Sequence, residues 1–314
     1  MSDIVREPSP SLPPPSDGGG ARRAEGVGRS KALTATALLG PATIFIAVGL
    51  LAPLAILLRY SLNEFVAQTK TMVEALTIRN YITFFTDPYY TSALGTTIKV
   101  ALMVTVAGLV IGFPLAYVVA RTQSRFKHLL IIAIVLPLFV GNSVRAAGWM
   151  VVFGNKGFFN ASLMGLGLLS KPIEIMFTEK AVIIGIIAVN LPFMVLSLQS
   201  VIESIDRAVE EAAFSLGAPP ITMFRRVLWP LALPGILSGT ILTFILAMNA
   251  YATPFLLGGP LFKMMAPVIY NEFTQKTNWP FGGAIAFILM AVTLSLTIAA
   301  NMLLRRRDTR VQPT

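Results

Sequence analysis

The sequence predicts an all-α, polytopic membrane protein with six transmembrane helices, and three observations support this fold class. Of the 314 residues, 55% are hydrophobic and only 13% are charged, which differs strongly from an ordinary soluble domain. The apolar residues collect in runs of the ~20 residues that a helix needs to cross a hydrocarbon core of roughly 30 Å. Between two of these runs, residues 203–230 form a compact polar segment.

Six apolar runs have the length and composition of a membrane-spanning helix. Five of them contain no Asp, Glu, Lys or Arg, and the remaining one is interrupted only by Arg145. An even number of spans places both termini on the same side of the membrane. The predicted spans are 32–58, 100–120, 129–153, 181–202, 231–253 and 281–304.

These spans divide the chain into a transmembrane domain and two tails. Residues 1–31 are rich in Pro, Gly, Ser and Arg, so we expect a disordered cytoplasmic tail. A secretory signal peptide is the alternative, but its apolar region would be only about 7 to 15 residues long. The longer uncharged run from Ala32 predicts a retained first helix. The transmembrane domain then covers 32–304, and residues 305–314 form a second cytoplasmic tail.

The net charge of +10 is distributed as in a membrane protein. No basic face interleaved with aromatic residues is present, so we expect membrane lipid around the chain and no nucleic-acid partner. Lys and Arg on the side of the two termini outnumber those on the opposite side, which predicts cytoplasmic termini and a cytoplasmic 203–230 segment. The absence of cysteine excludes disulfides and thiol chemistry, and the single histidine, His128, has no second ligand near it in the sequence. No metal site is expected.

The polar segment 203–230 has the pattern of two short helices. Apolar residues recur at helical spacing from Ile205 to Leu216, which predicts an amphipathic helix. Gly217 permits a sharp reversal, and Pro219 with Pro220 suits the first turn of a second helix. An apolar surface flanked by charge fits a groove on another protein. The alternative is an ordinary interfacial helix with no partner.

The order of residues in this segment resembles the EAA loop of ABC importer permeases. Glu211, Ala212 and Ala213 are followed after three residues by Gly217, and after nine more by Val227-Leu228-Trp229-Pro230. Val227 and Trp229 depart from the usual Ile and Leu but keep apolar bulk. Outside the loop, similarity to permeases of the spermidine/putrescine type extends over much of the chain. It is carried by the runs 61–65, 142–145, 175–178, 183–185, 191–195, 251–259 and 278–282.

The resemblance implies a permease subunit with the type I ABC importer fold in a bacterial inner membrane. Its implied partners are a second permease, which favours a heterodimer, two cytoplasmic ATPase subunits and a periplasmic or lipid-tethered solute-binding protein. Polyamine is the implied cargo. A 4-aminobutyrate-like amino acid derivative, an opine, a phosphonate or a ferric ion remain alternatives. The residues implied to couple transport to the ATPase are Glu211, Ala212, Ala213, Gly217, Phe224, Arg225 and Pro230.

The sequence itself supports a division of labour with a separate ATPase. No Gly-x4-Gly-Lys-Ser/Thr phosphate loop occurs anywhere, so no cofactor is expected in this chain and ATP is expected on the partner. A membrane enzyme is the more distant alternative. It would need paired carboxylates, a histidine cluster or a Ser/Lys pair at membrane depth, and the predicted spans offer none.

Polar residues inside the predicted spans are candidates for the translocation pathway. Placing Arg145 inside a bilayer costs at least a few kcal/mol, so we expect a polar cavity around it. Asn142 is close by in the sequence. The alternative is an arginine near a helix end that extends to the interface. Asn190, Asn249 and Tyr251 could line the same pathway, and hydrogen bonds between helices are the alternative for the two asparagines.

Overall fold

The computed structural model describes the backbone of residues 20–308 and the side chains of residues 40–302. Residues 1–19 of the predicted N-terminal tail and residues 309–314 of the C-terminal tail lie outside the described residues. The first helix begins at Gly20 and the last one ends at Asp308. Both terminal helices therefore extend beyond the apolar runs from which the domain limits were inferred.

The described residues divide into two compact units, with the division between Leu57 and Leu58. Helix α1 extends over Gly20–Ser61 and contains the apolar stretch Gly40–Ser61. The remaining elements are β1 (Glu64–Val66), β2 (Thr71–Val73), α2 (Arg79–Thr86), α3 (Pro88–Arg121), α4 (Lys127–Val135), α5 (Asn142–Phe153), α6 (Phe158–Gly165), α7 (Glu179–Ser204), α8 (Arg207–Ser215), α9 (Pro220–Met223), α10 (Trp229–Leu231), α11 (Leu233–Met248), α12 (Ala252–Leu257), α13 (Met265–Thr274) and α14 (Trp279–Asp308). A short 3-10 turn, Leu136–Phe139, follows α4, and a π turn, Phe224–Leu228, joins α9 to α10.

The described residues contain the membrane-spanning helices that the sequence predicts. Four continuous helices are long and apolar enough to cross a bilayer. Two further pairs of helices pass the same test together but are bent, so counting each pair as one span gives six. The four continuous spans are Gly40–Ser61, Pro88–Arg121, Glu179–Ser204 and Trp279–Met302. The polytopic, all-α fold class is confirmed.

Two of the predicted spans are not single straight helices. The span predicted at 129–153 bends by 101° between Phe139 and Asn142, because Val140 is extended and Gly141 precedes the new helix. The span predicted at 231–253 is also wrong in its limits. Its helix α11 ends at Met248, and it is bent by 71° from the helical segment before it, where Pro234 follows the break at Ala232.

A small structure that the sequence analysis did not predict lies between α1 and α3. Strands β1 and β2 form an antiparallel hairpin in which Phe65 pairs with Met72. The Asn80 amide on α2 donates 2.8 Å hydrogen bonds to the backbone carbonyls of Ser61 and Asn63. These bonds fix the residues at the C-terminal end of α1 to α2, so this connection is a structured cap rather than a loose loop.

Helices α3, α7 and α11 form the densest packing in the 58–314 unit. Met194 of α7 is fully buried between the other two helices. A Cβ atom added at Gly112 of α3 would lie 2.9 Å from Met194 Cγ, and one added at Gly239 of α11 would lie 2.9 Å from Met194 Sδ. Small residues allow membrane helices to approach closely, so these two glycines set the spacing of the three helices.

We expect Gly112→Ala to lower stability by roughly 1–3 kcal/mol, because the added methyl meets the rigid base of the Met194 side chain and α7 must shift. Gly95→Ala is the matched control in the same helix, since its added Cβ meets nothing within 4 Å. Alanine there should be neutral or stabilising. Thermal unfolding of the purified protein in detergent measures both variants, and equal midpoints for the two would contradict the packing argument.

Candidate functional site

The segment 203–230, called the coupling segment below, folds as two short helices on either side of a glycine. Asp206 Oδ1 accepts a 2.9 Å hydrogen bond from the Ala208 amide and caps α8. After α8, Gly217 adopts a φ of +78°. Its amide donates to the Phe214 carbonyl at 2.9 Å, and the Ala218 amide donates to the Ala213 carbonyl at 3.0 Å. This is a Schellman motif, and its left-handed residue explains why glycine occupies position 217.

The coupling segment presents an exposed apolar surface. Leu216 is 89% exposed, Ile221 73% and Phe214 46%, although all three are large hydrophobic side chains. Glu211 and Arg225 are exposed at the border of this surface. Apolar side chains surrounded by charge suit a complementary groove, so the geometry fits a segment that docks on another protein.

The predicted coupling residues have different surroundings. Glu211, Ala212, Gly217 and Arg225 are exposed, whereas Ala213, Phe224 and Pro230 are half-buried. The Phe224 ring lies 5.1 Å from that of Phe113 and 5.9 Å from that of Trp229, measured between centroids. Phe224 therefore fastens the second short helix to α3, whereas the exposed residues are free to contact a partner.

Glu210 is a site residue that the sequence analysis missed. Its side chain is buried, and its Oε2 accepts a 2.9 Å hydrogen bond from the Tyr117 hydroxyl. Its Oε1 forms an ion pair with Arg121 and accepts a 2.9 Å hydrogen bond from Arg121 Nε. Neighbouring residues on a helix point about 100° apart. With Glu211 facing outward, the buried position of Glu210 could have been inferred from that geometry.

All five predicted pathway residues line one cavity of about 480 Å³. The bend before α5 places Asn142 and Arg145 on its wall, α7 contributes Asn190, and the turn after α11 contributes Asn249 and Tyr251. The Tyr251 ring stacks on Phe255 at a centroid distance of 5.4 Å and lies 4.7 Å from Tyr270. The cavity therefore joins polar groups to an aromatic cluster.

The polar side chains of the cavity include both hydrogen-bond donors and acceptors, and Arg145 is the charged one among them. Arg145 Nη2 donates to Asn142 Oδ1, and Arg145 Nη1 donates to the Val189 carbonyl at 3.5 Å. Arg145 Nε and Asn190 Nδ2 are buried without a hydrogen-bond partner among the described residues. None of the residues lining the cavity carries a carboxylate. Arg145 lines this cavity, and Arg145 Nε and Asn190 Nδ2 are two donors at its wall that the described residues leave unpaired.

A second recess, of about 690 Å³, lies beside the β1–β2 hairpin. Its wall includes Glu272, which is 1% exposed and accepts hydrogen bonds from the Tyr90 hydroxyl at 2.9 Å and from Lys276 Nζ at 2.7 Å. Burial lowers the pKa of Lys276, but its hydrogen bond to Glu272 and the charge of that carboxylate outweigh this effect and raise the pKa. Lys276 thus stays protonated and neutralises a buried carboxylate.

The sequence of this chain is similar to those of known proteins of one family. The family model described as "Binding-protein-dependent transport system inner membrane component" matches residues 106–311. The spermidine/putrescine transport system permease protein PotB of Haemophilus influenzae is 38% identical over 235 residues, which are 74% of this chain and 82% of that protein. PotB of Escherichia coli is 35% identical over 235 residues, 75% of this chain and 83% of that protein.

Solved structures agree with the fold. A chain of a bacterial alginate ABC transporter, crystallised with an alginate pentasaccharide-bound periplasmic protein, superposes with a TM-score of 0.73 at 19% identity and covers 90% of this chain and 97% of that one. A chain of the inward-facing MetNI methionine ABC transporter gives a TM-score of 0.55 at 17% identity. The superposition covers 69% of this chain and 94% of that one.

The fold therefore defines the class of this protein as a type I ABC importer permease, a multi-pass membrane protein. The chain belongs to the family of binding-protein-dependent transport system inner membrane components, because the family model and relatives above 30% identity cover most of it. The resemblance inferred from the Glu211-Ala212-Ala213 motif is confirmed. The roles of individual residues in the coupling segment and the cavity stay predictions.

We expect Gly217→Val to uncouple ATP hydrolysis from transport while the protein still inserts into the membrane. A β-branched residue at a φ of +78° costs about 1–2 kcal/mol or more, which would open the turn that sets the angle between the two short helices. ATP hydrolysis and solute uptake in reconstituted vesicles measure the effect. Ala218→Val is the control at the next position, and unchanged uptake by Gly217→Val would refute the role of the turn.

Proposed function

We propose that the chain is a membrane-spanning permease subunit that moves a polyamine, spermidine or putrescine, into the cytoplasm in an ATP-driven importer. The observation that carries the proposal is the coupling segment, with its exposed apolar surface on two short helices. The cargo is supported by the PotB relatives, whose transport systems are described as spermidine/putrescine systems.

The assembly that this function requires contains three further kinds of protein. A second permease, different from this chain, completes the pore, and two cytoplasmic ATPase subunits bind the coupling segments and ATP. A periplasmic or lipid-tethered binding protein delivers the solute from outside. The membrane is a bacterial inner membrane, with both termini and the coupling segment on the cytoplasmic side, as the distribution of Lys and Arg supports.

Transport follows from two states of this assembly. ATP binding closes the ATPase pair and draws the coupling segments of the two permeases together. The two permease halves then rotate as rigid bodies, so that the cavity turns from the cytoplasm to the outside. On this proposal Asn142, Arg145, Asn190, Asn249 and Tyr251 line the path of the solute. ATP hydrolysis resets the assembly, and this chain carries out no chemical step itself.

One observation favours a second cargo class. The Arg145 guanidinium and the Asn190 amide at the cavity each carry one donor without a partner among the described residues, and no carboxylate lines the cavity. Such a surface attracts a carboxylate or phosphonate more than an ammonium group. A zwitterion such as 4-aminobutyrate, an opine or a phosphonate would fit this chain's half of the pathway, whereas a polyamine needs its counter-charges from the other half or from the binding protein.

The first experiment measures uptake by vesicles that contain this subunit, its partner permease, the ATPase and the binding protein. We expect ATP-dependent uptake of labelled putrescine and spermidine. Putrescine and 4-aminobutyrate are a matched pair of solutes, since one ammonium group is replaced by a carboxylate at similar length. Uptake of 4-aminobutyrate or an aminophosphonate alone would keep the importer but reject the polyamine cargo, and no ATP-dependent uptake of any of the four would reject the proposal.

We expect Arg145→Gln to increase polyamine uptake, because a positive charge is removed from the path of a cation. With a zwitterionic cargo the same change should reduce uptake roughly tenfold, as expected when a charged hydrogen-bond donor to a carboxylate is lost. Arg125→Gln removes the same charge at an exposed cytoplasmic site and is the control. Equal uptake by Arg145→Gln and Arg125→Gln for every solute would exclude Arg145 from the pathway.

A further inference from the structure

The coupling segment is attached to the transmembrane helices at one charged, buried point. Glu210 of α8 lies against the cytoplasmic end of α3, where Arg121 and Tyr117 contact its carboxylate. The Arg121 and Glu210 side chains are 13% and 9% exposed. Because both charges are removed from water, breaking this pair leaves one of them uncompensated.

Two more hydrogen bonds join the end of α3 to the start of α8 beside this ion pair. Arg121 Nη1 donates to the Ile205 carbonyl at 3.1 Å, directly before α8. In return, Arg207 Nη2 donates to the Arg121 carbonyl at 2.7 Å, where α3 ends. An arginine of α3 thus donates to the backbone before α8, and an arginine of α8 donates to the backbone at the end of α3. Together these bonds fix both the separation and the angle between α8 and α3.

Other contacts around this point do not give the same directional connection. The ion pair between Lys127 and Glu203 is formed by half-exposed side chains, and pairs of that kind contribute little. Phe224 and Trp229 pack on Phe113 of α3, but apolar packing permits sliding in a way that a buried ion pair with directional hydrogen bonds does not. The Glu210 network is thus the contact that best resists separation of α8 from α3.

Helix α3 is well placed to pass on a displacement, because it packs along α7 and α11. Those two helices carry Asn190 and the turn with Asn249, both on the cavity wall. A rigid connection from α8 to α3 therefore reaches the cavity through packed helices.

We propose that Glu210 is a positioning residue through which the coupling segment moves α3, by way of Arg121 and Tyr117. This inference rests on the proposed function, since it requires an ATPase that displaces α8. Glu210 does not contact the solute or ATP in this scheme. Its role is to make α8 and the cytoplasmic end of α3 move as one body.

The first test is the amount of solute transported per ATP hydrolysed in the reconstituted importer. Glu210→Gln keeps the shape of the side chain and removes its charge, and the ratio should fall roughly tenfold because Arg121 loses its buried partner. Tyr117→Phe removes only one hydrogen bond and should lower the ratio by roughly threefold. Glu179→Gln is the control, because it removes an ion pair between α7 and Lys99 of α3 that is exposed and distant in the sequence from the coupling segment.

A second measurement separates this role from a merely structural one. The chain contains no cysteine, so spin labels can be placed on introduced pairs without background. Ala208→Cys with Val118→Cys joins exposed positions on α8 and α3. Ala208→Cys with a single labelled cysteine introduced into the partner permease measures the distance between the two halves. On ATP binding, the distance between the halves should change and the 208–118 distance should not. In Glu210→Gln, the 208–118 distance should change as well.

The outcomes distinguish a failure of the proposed function from a failure of the proposed role of Glu210. A distance between the halves that does not respond to ATP in the otherwise unchanged protein would reject the ATPase-driven displacement itself, and with it the proposed function. A normal response, combined with an unchanged 208–118 distance and an unchanged transport ratio in Glu210→Gln, would overturn only the role of Glu210. Equal losses of hydrolysis and uptake in that variant would also overturn it, since they would indicate poor assembly.

Discussion

The parts of this chain that cross the bilayer must satisfy their backbone hydrogen bonds without water, and the rest of the structure follows from that constraint. Helices meet it automatically, whereas interrupted backbone is tolerated only inside protein or beside a polar cavity. The bend at Val140 and Gly141 and the turn at Asn249 and Ala250 are such interruptions. Both border the 480 Å³ cavity. The positions where the helices break are therefore also the positions where the polar side chains are gathered.

Helix α3 connects the two regions that matter for function. In its C-terminal half, Gly112 allows Met194 of α7 to pack closely, and at its C-terminal end Arg121 holds Glu210 of α8. Packing without voids transmits displacement because a close-packed core has few ways to absorb it. On the proposed role of Glu210, the buried ion pair and the apolar contacts of α3 would act one after the other between the coupling segment and the cavity.

Much of this arrangement could be predicted from the sequence, because it depends on local patterns. Apolar runs indicate spans, and the spacing from Glu211 to Gly217 indicates two helices joined at a turn. The bend at Gly141 was missed because an apolar run shows length but not direction, although Pro137 and Gly141 mark the place. The partner of Glu210 could not be read from local sequence, since Arg121 is 89 residues away. Long-range pairing of this kind is decided by tertiary packing.

The charge of the cavity constrains the composition of the complete pore. A homodimer would place two copies of Arg145 around one path and supply no carboxylate from the residues that line this cavity. Two like charges facing a polycation would repel it, and in a site of low dielectric that repulsion is stronger than in water. If the cargo is a polyamine, the carboxylates must come from a different partner permease or from the binding protein that delivers the solute. On the proposed polyamine function, a heterodimer whose other permease supplies the carboxylates is one assembly compatible with the charge of Arg145, and carboxylates on the binding protein are the other source.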